Sequence, residues 1–339
     1  MGKYNKIYML APFGVATGGV ELAHQLVDYL RNRNQDAVIV YINHDTLEIS
    51  TNQAITKEYA NYNILTSSTI EDEKANIIVL PEIYFDFIYK YRNIDIACWW
   101  MSVDNHYSNA CLFDMLRFNS SFRKTISILK NAALGKIKIY RNSISDLKAN
   151  SNRIVHFYQS HYAQYHLYSK GFSRVLPLSD FINTEFETSL KVQKEDIILY
   201  NPSKGFLFTQ EIIKKMPHRK FVPLERMTRK QLVEIMSRAK LYIDFGHFPG
   251  KDRLPRESVI SGCCLITGKL GASFYYEDLP IDESYKFETN RKNIKAICDK
   301  IDFVINNYDQ CINDFAFYKN RILKEKEIFF NEIEDFFID

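Results

Sequence analysis

The sequence lacks the patterns that mark several large classes of proteins. None of its six cysteines forms a CxxC pair or lies at zinc-ligand spacing from a histidine, so we expect buried free thiols in a reducing compartment. No run approaches the roughly 18 apolar residues that a membrane-spanning helix needs. The start of the sequence has no apolar core of a secretory signal, and we therefore predict a cytoplasmic protein.

Charge and composition narrow the possibilities further. Lys and Arg number 44 and Asp and Glu number 41, so the net charge is +3. This balance does not indicate a dedicated nucleic-acid-binding protein, and we predict no nucleic-acid partner. Hydrophobic residues make up 46% and charged residues 25%, which is typical of a globular chain and excludes a disordered one. At roughly 150 residues per domain, the 339 residues predict about two domains.

Short apolar runs alternate with segments of helical spacing along most of the chain. The predicted strands are 6–11, 37–42, 76–80, 94–103, 153–159, 175–178, 196–200, 220–223, 241–245 and 264–267. The predicted helices are 19–33, 161–170, 205–216, 229–239 and 255–261, with a helical tail from 290 onwards that breaks near Asp309. Such alternation predicts an α/β protein with parallel sheets. Because the pattern restarts between 177 and 194, we expect two Rossmann-like domains.

One segment is biased in charge. Between Met115 and His156 there are nine Lys and Arg residues, and Asp146 is the only carboxylate. Apolar residues are interleaved with these cations, so parts of the segment are amphipathic. It is either a solvated helical insert or, over 115–155, a surface for anionic lipid or a lipid-diphosphate acceptor.

Three strand-to-helix turns carry residues suited to a phosphorylated ligand. The first contains Gly18 and Gly19, where the missing Cβ lets a ligand approach and the helix-start amides favour an anion. The second, 200–205, places Lys204 at its mouth as a point cation. The third, 244–257, holds three cations and a carboxylate: Lys251, Arg253, Arg256 and Glu257. The alternative interpretations are a plain tight turn, a surface lysine and a carboxylate stabilised by a helix dipole.

Other nucleotide-binding patterns are missing. The glycines at 14, 18 and 19 do not form GxGxxG, which weakens a dehydrogenase interpretation. Gly268-Lys269 is followed by leucine, so there is no Walker motif.

A fourth polar cluster follows the strand that ends near Trp100. Its Asp104 and His106 are candidates to contact an acceptor or the transferred sugar, or they belong to a hydrogen-bonded loop; Glu82 is a weaker candidate.

Together these residues resemble the GT-B glycosyltransferases, and family 4 in particular. The resemblance is carried by the Gly18-Gly19 helix start, the turn 201–205, Arg256-Glu257 with the segment 261–266, and the linker-like segment 155–180. It implies two Rossmann-like domains facing each other across a cleft. Residues 1–178 would form the acceptor domain with a basic helical insert at 107–150, residues 179–310 the donor domain, and 311–339 a helix that packs back on the N-terminal domain.

The resemblance also implies roles. Glu257 matches the ribose-binding glutamate and Lys204 the diphosphate lysine. Pro249 stands where the family often has an earlier glutamate, and a family arginine before the turn lysine is missing. Our candidates to replace that cation are Lys251, Arg253 and Arg256. No DxD triplet occurs, which argues against the metal-dependent GT-A type.

The function implied is transfer of a sugar from a nucleoside-diphosphate donor, such as a UDP- or GDP-sugar, to a glycan or lipid-linked acceptor. We expect a retaining, metal-independent reaction without a cofactor, in bacterial surface polysaccharide synthesis such as lipopolysaccharide or capsule. An inverting reaction would need a base, and Asp104 is the first candidate. A cytoplasmic enzyme that binds the inner face of the membrane peripherally fits the lipid interpretation of the insert. The alternatives are a sugar-nucleotide epimerase of the same fold and a non-catalytic partner protein with a degenerate donor site.

Overall fold

The chain divides into two compact units. A computed structural model describes residues 2–43, 46–108, 112–118, 122–134, 143–183, 186 and 192–338. Unit 1 comprises Met1–Asp180 and Ile328–Asp339, and unit 2 comprises Phe181–Glu327. The boundary at Asp180 lies within the segment 177–194 where the strand–helix pattern restarts.

Unit 1 is built on a parallel sheet whose described strands follow the order β2-β1-β3-β4-β5-β6. The strands are β1 (Lys6–Pro12), β2 (Ala37–Ile42), β3 (Asn76–Pro81), β4 (Asp95–Trp100), β5 (Ile154–Tyr158) and β6 (Val175–Pro177). β2 and β3 are buried along their whole length, which explains why both were recognisable as continuous apolar runs.

Helices connect these strands. They are α1 (Gly18–Asn32), α2 (Val103–Ser108), α3 (Leu112–Phe118), α4 (Phe122–Ala133), α5 (Ile144–Ala149) and α6 (His161–Ser169). Residues 82–89 add a 3₁₀ segment after β3. α1 buries Val20, Ala23, Leu26, Val27 and Leu30 at helical spacing, which confirms the amphipathic helix predicted there.

Unit 2 repeats the scheme with a parallel sheet in the order β11-β10-β9-β7-β8 among the described residues. Its strands are β7 (Glu195–Tyr200), β8 (Lys220–Pro223), β9 (Ala239–Asp244), β10 (Cys264–Gly268) and β11 (Lys286–Phe287). Its helices are α7 (Phe206–Lys215), α8 (Arg229–Arg238), α9 (Arg253–Ile260), α10 (Ile294–Asn306), α11 (Tyr308–Cys311) and α12 (Ala316–Leu323). The expected second Rossmann-like fold is therefore present.

The end of the chain is helical but interrupted. After α11, a 3₁₀ turn at Ile312–Phe315 precedes α12, and α13 (Glu325–Ile333) continues into a π-helical turn at Glu334–Ile338. Residues from Ile328 belong to unit 1, where the rings of Phe329 and Trp99 stack with their centroids 6.3 Å apart. Residues 311–327 belong to unit 2. None of the described helices is long and apolar enough to cross a bilayer.

The strand orders identify where each sheet can receive a ligand. In unit 1 the chain moves outward in opposite directions from β1 and β3, and in unit 2 from β7 and β9. In open α/β sheets the crevice at such a switch point, outside the carboxyl ends of the strands, is the usual ligand site. The turns after these four strands are therefore the candidate ligand sites of the two sheets.

Candidate functional site

The turn after β7 touches the turn after β9 backbone to backbone. Gly205 has φ of 65°, and a Cβ built on it would lie 2.5 Å from the backbone nitrogen of Gly246. A Cβ on Gly246 would in turn lie 2.6 Å from Cγ of Lys204. Only residues without a side chain allow this approach, so the two glycines place Lys204 across the switch point of unit 2.

Lys204 is held by the loop that follows β9. Its ammonium forms an ion pair with Asp252, donates to the carbonyl oxygen of His247 at 3.3 Å, and lies 4.8 Å from the ring centroid of Phe248. Burial lowers the pKa of Lys204, while the neighbouring Asp244 opposes that change. A partly desolvated cation at the carboxyl end of a sheet is suited to a phosphate, because a charged hydrogen bond strengthens when water is excluded.

Asp244 ends β9 beneath this lysine and is itself buried. Its carboxylate accepts hydrogen bonds from the hydroxyl of Tyr242 at 2.8 Å and from the backbone nitrogen of Gly246 at 2.9 Å. Burial raises the pKa of Asp244, and Lys204 and these donors oppose the rise. The buried carboxylate thus supports the turn after β9, against which the side chain of Lys204 packs.

The start of α9 carries the other predicted donor-binding residues of unit 2. Nε of Arg253 lies 3.5 Å from Oε1 of Glu257, one helical turn along, and both side chains are mostly buried. Asp252 precedes them at the N-cap position without a side-chain capping hydrogen bond. Its carboxylate is instead directed to Lys204, which connects the start of α9 to the turn after β7.

Arg256 lies inside the protein. It has no exposed surface, and its guanidinium donates to Oε2 of Glu325 at 2.8 Å and to the backbone oxygens of Lys251 and Asp252 at 2.9 and 3.2 Å. The ammonium of Lys251 lies 2.7 Å from the other oxygen of Glu325. Both cations therefore share one buried carboxylate that the sequence analysis did not single out.

In unit 1, the turns after β1, β3 and β4 meet at the switch point. α1 begins at Gly18 without a side-chain cap, and a Cβ on Gly19 would lie 3.4 Å from the sulfur of Met101. Glu82 follows β3 and accepts hydrogen bonds from the backbone nitrogen of Met101 at 3.2 Å and from the side chain of Asn105 at 3.3 Å. Burial raises the pKa of Glu82 to about 7, and these donors limit the rise.

The two residues predicted to act in catalysis occupy different environments. Asp104 lies in the first turn of α2 and is partly exposed. His106 is fully buried, with ring centroids of Trp100 and Phe85 at 4.7 and 5.4 Å, and burial lowers its pKa to about 3. An imidazole that stays neutral and enclosed by aromatic rings is better placed to support the core than to reach a substrate.

Two further histidines surround Trp100. The indole nitrogen donates to Nδ1 of His156 at 3.1 Å, and the hydroxyl of Tyr107 lies 3.1 Å from Nε2 of His166. Burial lowers the pKa of His156 to about 3 and that of His166 to about 4. In the described parts of the chain, no group of three or more His, Cys, Asp or Glu side chains is arranged to hold a metal ion.

Several solved structures resemble the chain over most of its length. Sucrose-phosphate synthase from Thermosynechococcus elongatus superposes with a TM-score of 0.63 over 98% of both chains, at 11% identity. HepE from Anabaena, solved with UDP and glucose, gives a TM-score of 0.60 over 98% of this chain and 99% of HepE, at 12% identity. TarM gives 0.56 over 78% of this chain, at 14% identity, and the match spans 55% of TarM. No protein-family profile and no curated protein sequence matches.

The chain has the GT-B glycosyltransferase fold. The recognition of that fold from sequence is thereby confirmed, while membership of family 4 stays a prediction. Within this GT-B structure, Lys204 and the start of α9 come together at the switch point of unit 2, and the Gly18-Gly19 helix start lies at the switch point of unit 1.

The GT-B structure distributes the predicted site residues unevenly. Lys204, Arg253 and Glu257 remain candidates to touch a donor. Arg256 and Lys251 pair with Glu325, and their donor contacts stay a prediction. Sequence reasoning missed Asp252 and Glu325 as partners, because no spacing pattern connects a carboxylate to a cation far away in the chain.

Proposed function

We propose that the protein is a glycosyltransferase that uses a nucleoside-diphosphate sugar. The observation that carries this proposal is Lys204, a partly desolvated cation fixed across the switch point of unit 2 in a GT-B fold. HepE was solved with UDP-glucose and TarM with UDP, which supports a UDP-sugar as the first donor class to test. Unit 2 would bind this donor and unit 1 the acceptor.

The residues of unit 2 suggest how the leaving group is stabilised. The bond between the sugar's anomeric carbon and the diphosphate oxygen breaks, and negative charge develops on the diphosphate. Lys204 would neutralise that charge, leaving Asp252 for the phosphate, and Glu257 would accept hydrogen bonds from the ribose hydroxyls. In a retaining transfer the acceptor oxygen bonds to the anomeric carbon while its proton passes to the departing diphosphate. In an inverting transfer Asp104 is the candidate base.

Thermal-shift and calorimetric titrations with UDP, GDP, CDP and ADP test the donor class. We expect one nucleotide to stabilise the protein, since a ligand that binds the folded state raises its melting temperature. Lys204→Ala should weaken binding of that nucleotide about 10- to 150-fold, which corresponds to about 1.5–3 kcal/mol for one charged contact. Lys214→Ala is the matched control, because Lys214 is an exposed lysine near the other end of α7.

Three outcomes separate the alternatives. Stabilisation by none of the four nucleotides would remove the proposed function. If the protein binds a nucleotide but chromatography of the UDP-sugar shows neither transfer nor release of the sugar, the result would favour the non-catalytic partner protein. Conversion of the UDP-sugar to an isomer or to a free sugar would favour the epimerase.

For the acceptor, we propose a glycan or lipid-linked molecule of surface polysaccharide synthesis, bound at an anionic membrane surface. The support comes from α4, where Ile126 and Leu129 are 50% and 47% exposed and Lys130 lies beside them. Leu134, one residue past the end of α4, is 56% exposed, so this segment exposes apolar side chains together with a cation. Such a pattern is typical of helices that lie in a lipid interface. Lys136, Lys138 and Arg141 of the same basic segment lie outside the described residues.

Vesicle sedimentation tests this surface. The protein should bind phosphatidylglycerol vesicles at low salt, bind phosphatidylcholine vesicles weakly, and dissociate as salt screens the cations. Ile126→Ser combined with Leu129→Ser should abolish binding. Leu207→Ser, which removes an 81% exposed leucine of α7, is the control. If the protein does not bind anionic vesicles, the lipid-binding interpretation fails and the basic segment is a solvated helical insert.

A further inference from the structure

One buried carboxylate of unit 2 neutralises two cations at the start of α9. Glu325, the first residue of α13, is 4% exposed, and each of its oxygens has its own partner. Oε1 lies 2.7 Å from the ammonium of Lys251 and Oε2 lies 2.8 Å from the guanidinium of Arg256. A carboxylate in such surroundings is retained only if its partners satisfy it, because an unpaired buried charge is strongly unfavourable.

The hydrogen bonds of Arg256 connect Glu325 to the residues at the switch point of unit 2. Arg256 also donates to the backbone oxygens of Lys251 and Asp252, so its position fixes the path of the chain there. The carboxylate of Asp252 in turn pairs with Lys204. An unbroken series of contacts therefore runs from Glu325 through Arg256 and the backbone of residue 252 to the ammonium of Lys204.

We propose that Glu325 is a positioning residue of the donor site, which sets the place of Lys204 by holding Arg256 and Lys251. The inference rests on the proposed function, since it assumes that Lys204 contacts a diphosphate. It also assigns Arg256 a different task from the one predicted from sequence. With no exposed surface, Arg256 shapes the loop while Lys204 meets the ligand.

Binding of UDP and UMP to single variants provides the test, because the two ligands differ in the phosphate that a diphosphate-binding lysine recognises. Glu325→Gln should weaken UDP binding by about tenfold or more and UMP binding by less than about twofold, as loss of one charged contact requires. Glu325→Asp should recover part of the UDP affinity. Glu327→Gln, the same change on an exposed residue of the same helix, should bind both ligands like the wild type.

A double-mutant cycle shows whether Glu325 acts through Lys204. If it does, Glu325→Gln combined with Lys204→Ala should bind UDP no more weakly than Lys204→Ala alone. Additive losses would overturn the proposal. So would tighter UDP binding by Glu325→Gln, which would mean that Glu325 competes with the donor for the two cations.

A second variant guards against simple loss of folding. Arg256→Met with Glu325→Leu replaces the buried ion pair by apolar side chains, a change that folded proteins often tolerate. We expect this variant to fold and to lose UDP affinity. Wild-type affinity in the folded variant would overturn the inference while leaving the proposed function intact. If the wild-type protein bound none of UDP, GDP, CDP and ADP, the proposed function and this inference would both fail.

Discussion

Lowering the pH from 8 to 5 should destabilise unit 1, because its core holds three histidines in the neutral form. Burial lowers the pKa of His106 and His156 to about 3 and that of His166 to about 4, from 6.5 in the unfolded chain. The unfolded state therefore binds more protons than the folded state below pH 6.5. The stability that depends on these neutral histidines is fully present above pH 6.5 and is lost as the pH falls towards 4.

The size of the loss follows from these pKa values. At pH 5 each unfolded histidine is almost fully protonated, and its contribution is about 2 kcal/mol, or about 6 kcal/mol for the three. Glu82 acts in the opposite direction, because burial raises its pKa to about 7 from 4.5. Because Glu82 takes up a proton on folding, it adds about 2.5 kcal/mol to the free energy of unfolding at pH 5. The expected net loss of unfolding free energy is therefore about 3.5 kcal/mol. Burial also lowers the pKa of His24, which adds to the loss.

Tryptophan fluorescence during urea unfolding reports on unit 1 alone. The chain has two tryptophans, Trp99 and Trp100, and both are fully buried in β4. His166→Gln should reduce the loss of unfolding free energy between pH 8 and 5 by about 2 kcal/mol, because it removes one of the three histidine contributions. Glu82→Gln should increase the loss to about 6 kcal/mol, because it removes the group that opposes the histidines. An unfolding free energy that stays constant within about 1 kcal/mol over this pH range would refute the reasoning.

Two glycine substitutions give further tests. Gly205→Ala should destabilise unit 2 more than Gly14→Ala destabilises unit 1, as measured by urea unfolding: both glycines have positive φ, but only Gly205 faces backbone within 4 Å. Equal losses would show that the two turns of unit 2 do not need their close approach. Gly246→Ala should displace the side chain of Lys204 and weaken UDP binding by calorimetry about as much as Lys204→Ala does; unchanged affinity would count against the placement of that lysine.

The fold was predictable because it depends on local pattern. Nine of the eleven described strands are runs of four to seven residues, and β1 and β2 were recognisable within one residue of their ends. Gly18 and Gly19 at the start of α1 were recognisable because they follow such a run, whereas the importance of Gly246 was not.

The electrostatics of the site were not predictable in this way. Arg256 and Glu325 are 69 positions apart, and Lys204 and Asp252 are 48 apart, so no spacing rule pairs them. The sequence also predicts a cation at residue 256 without showing which side of α9 faces solvent. Residues 255–260 are all buried, and the guanidinium of Arg256 consequently lies inside the protein against Glu325.

The contact between Gly205 and Gly246 has a mechanical consequence. Since not even a methyl group fits between the two backbones, neither turn can move closer to the other without a collision. The two turns are therefore already packed against each other in the structure. A nucleotide that binds there would lose its own conformational freedom, but binding would not also have to order a flexible loop. This favours fast and tight binding.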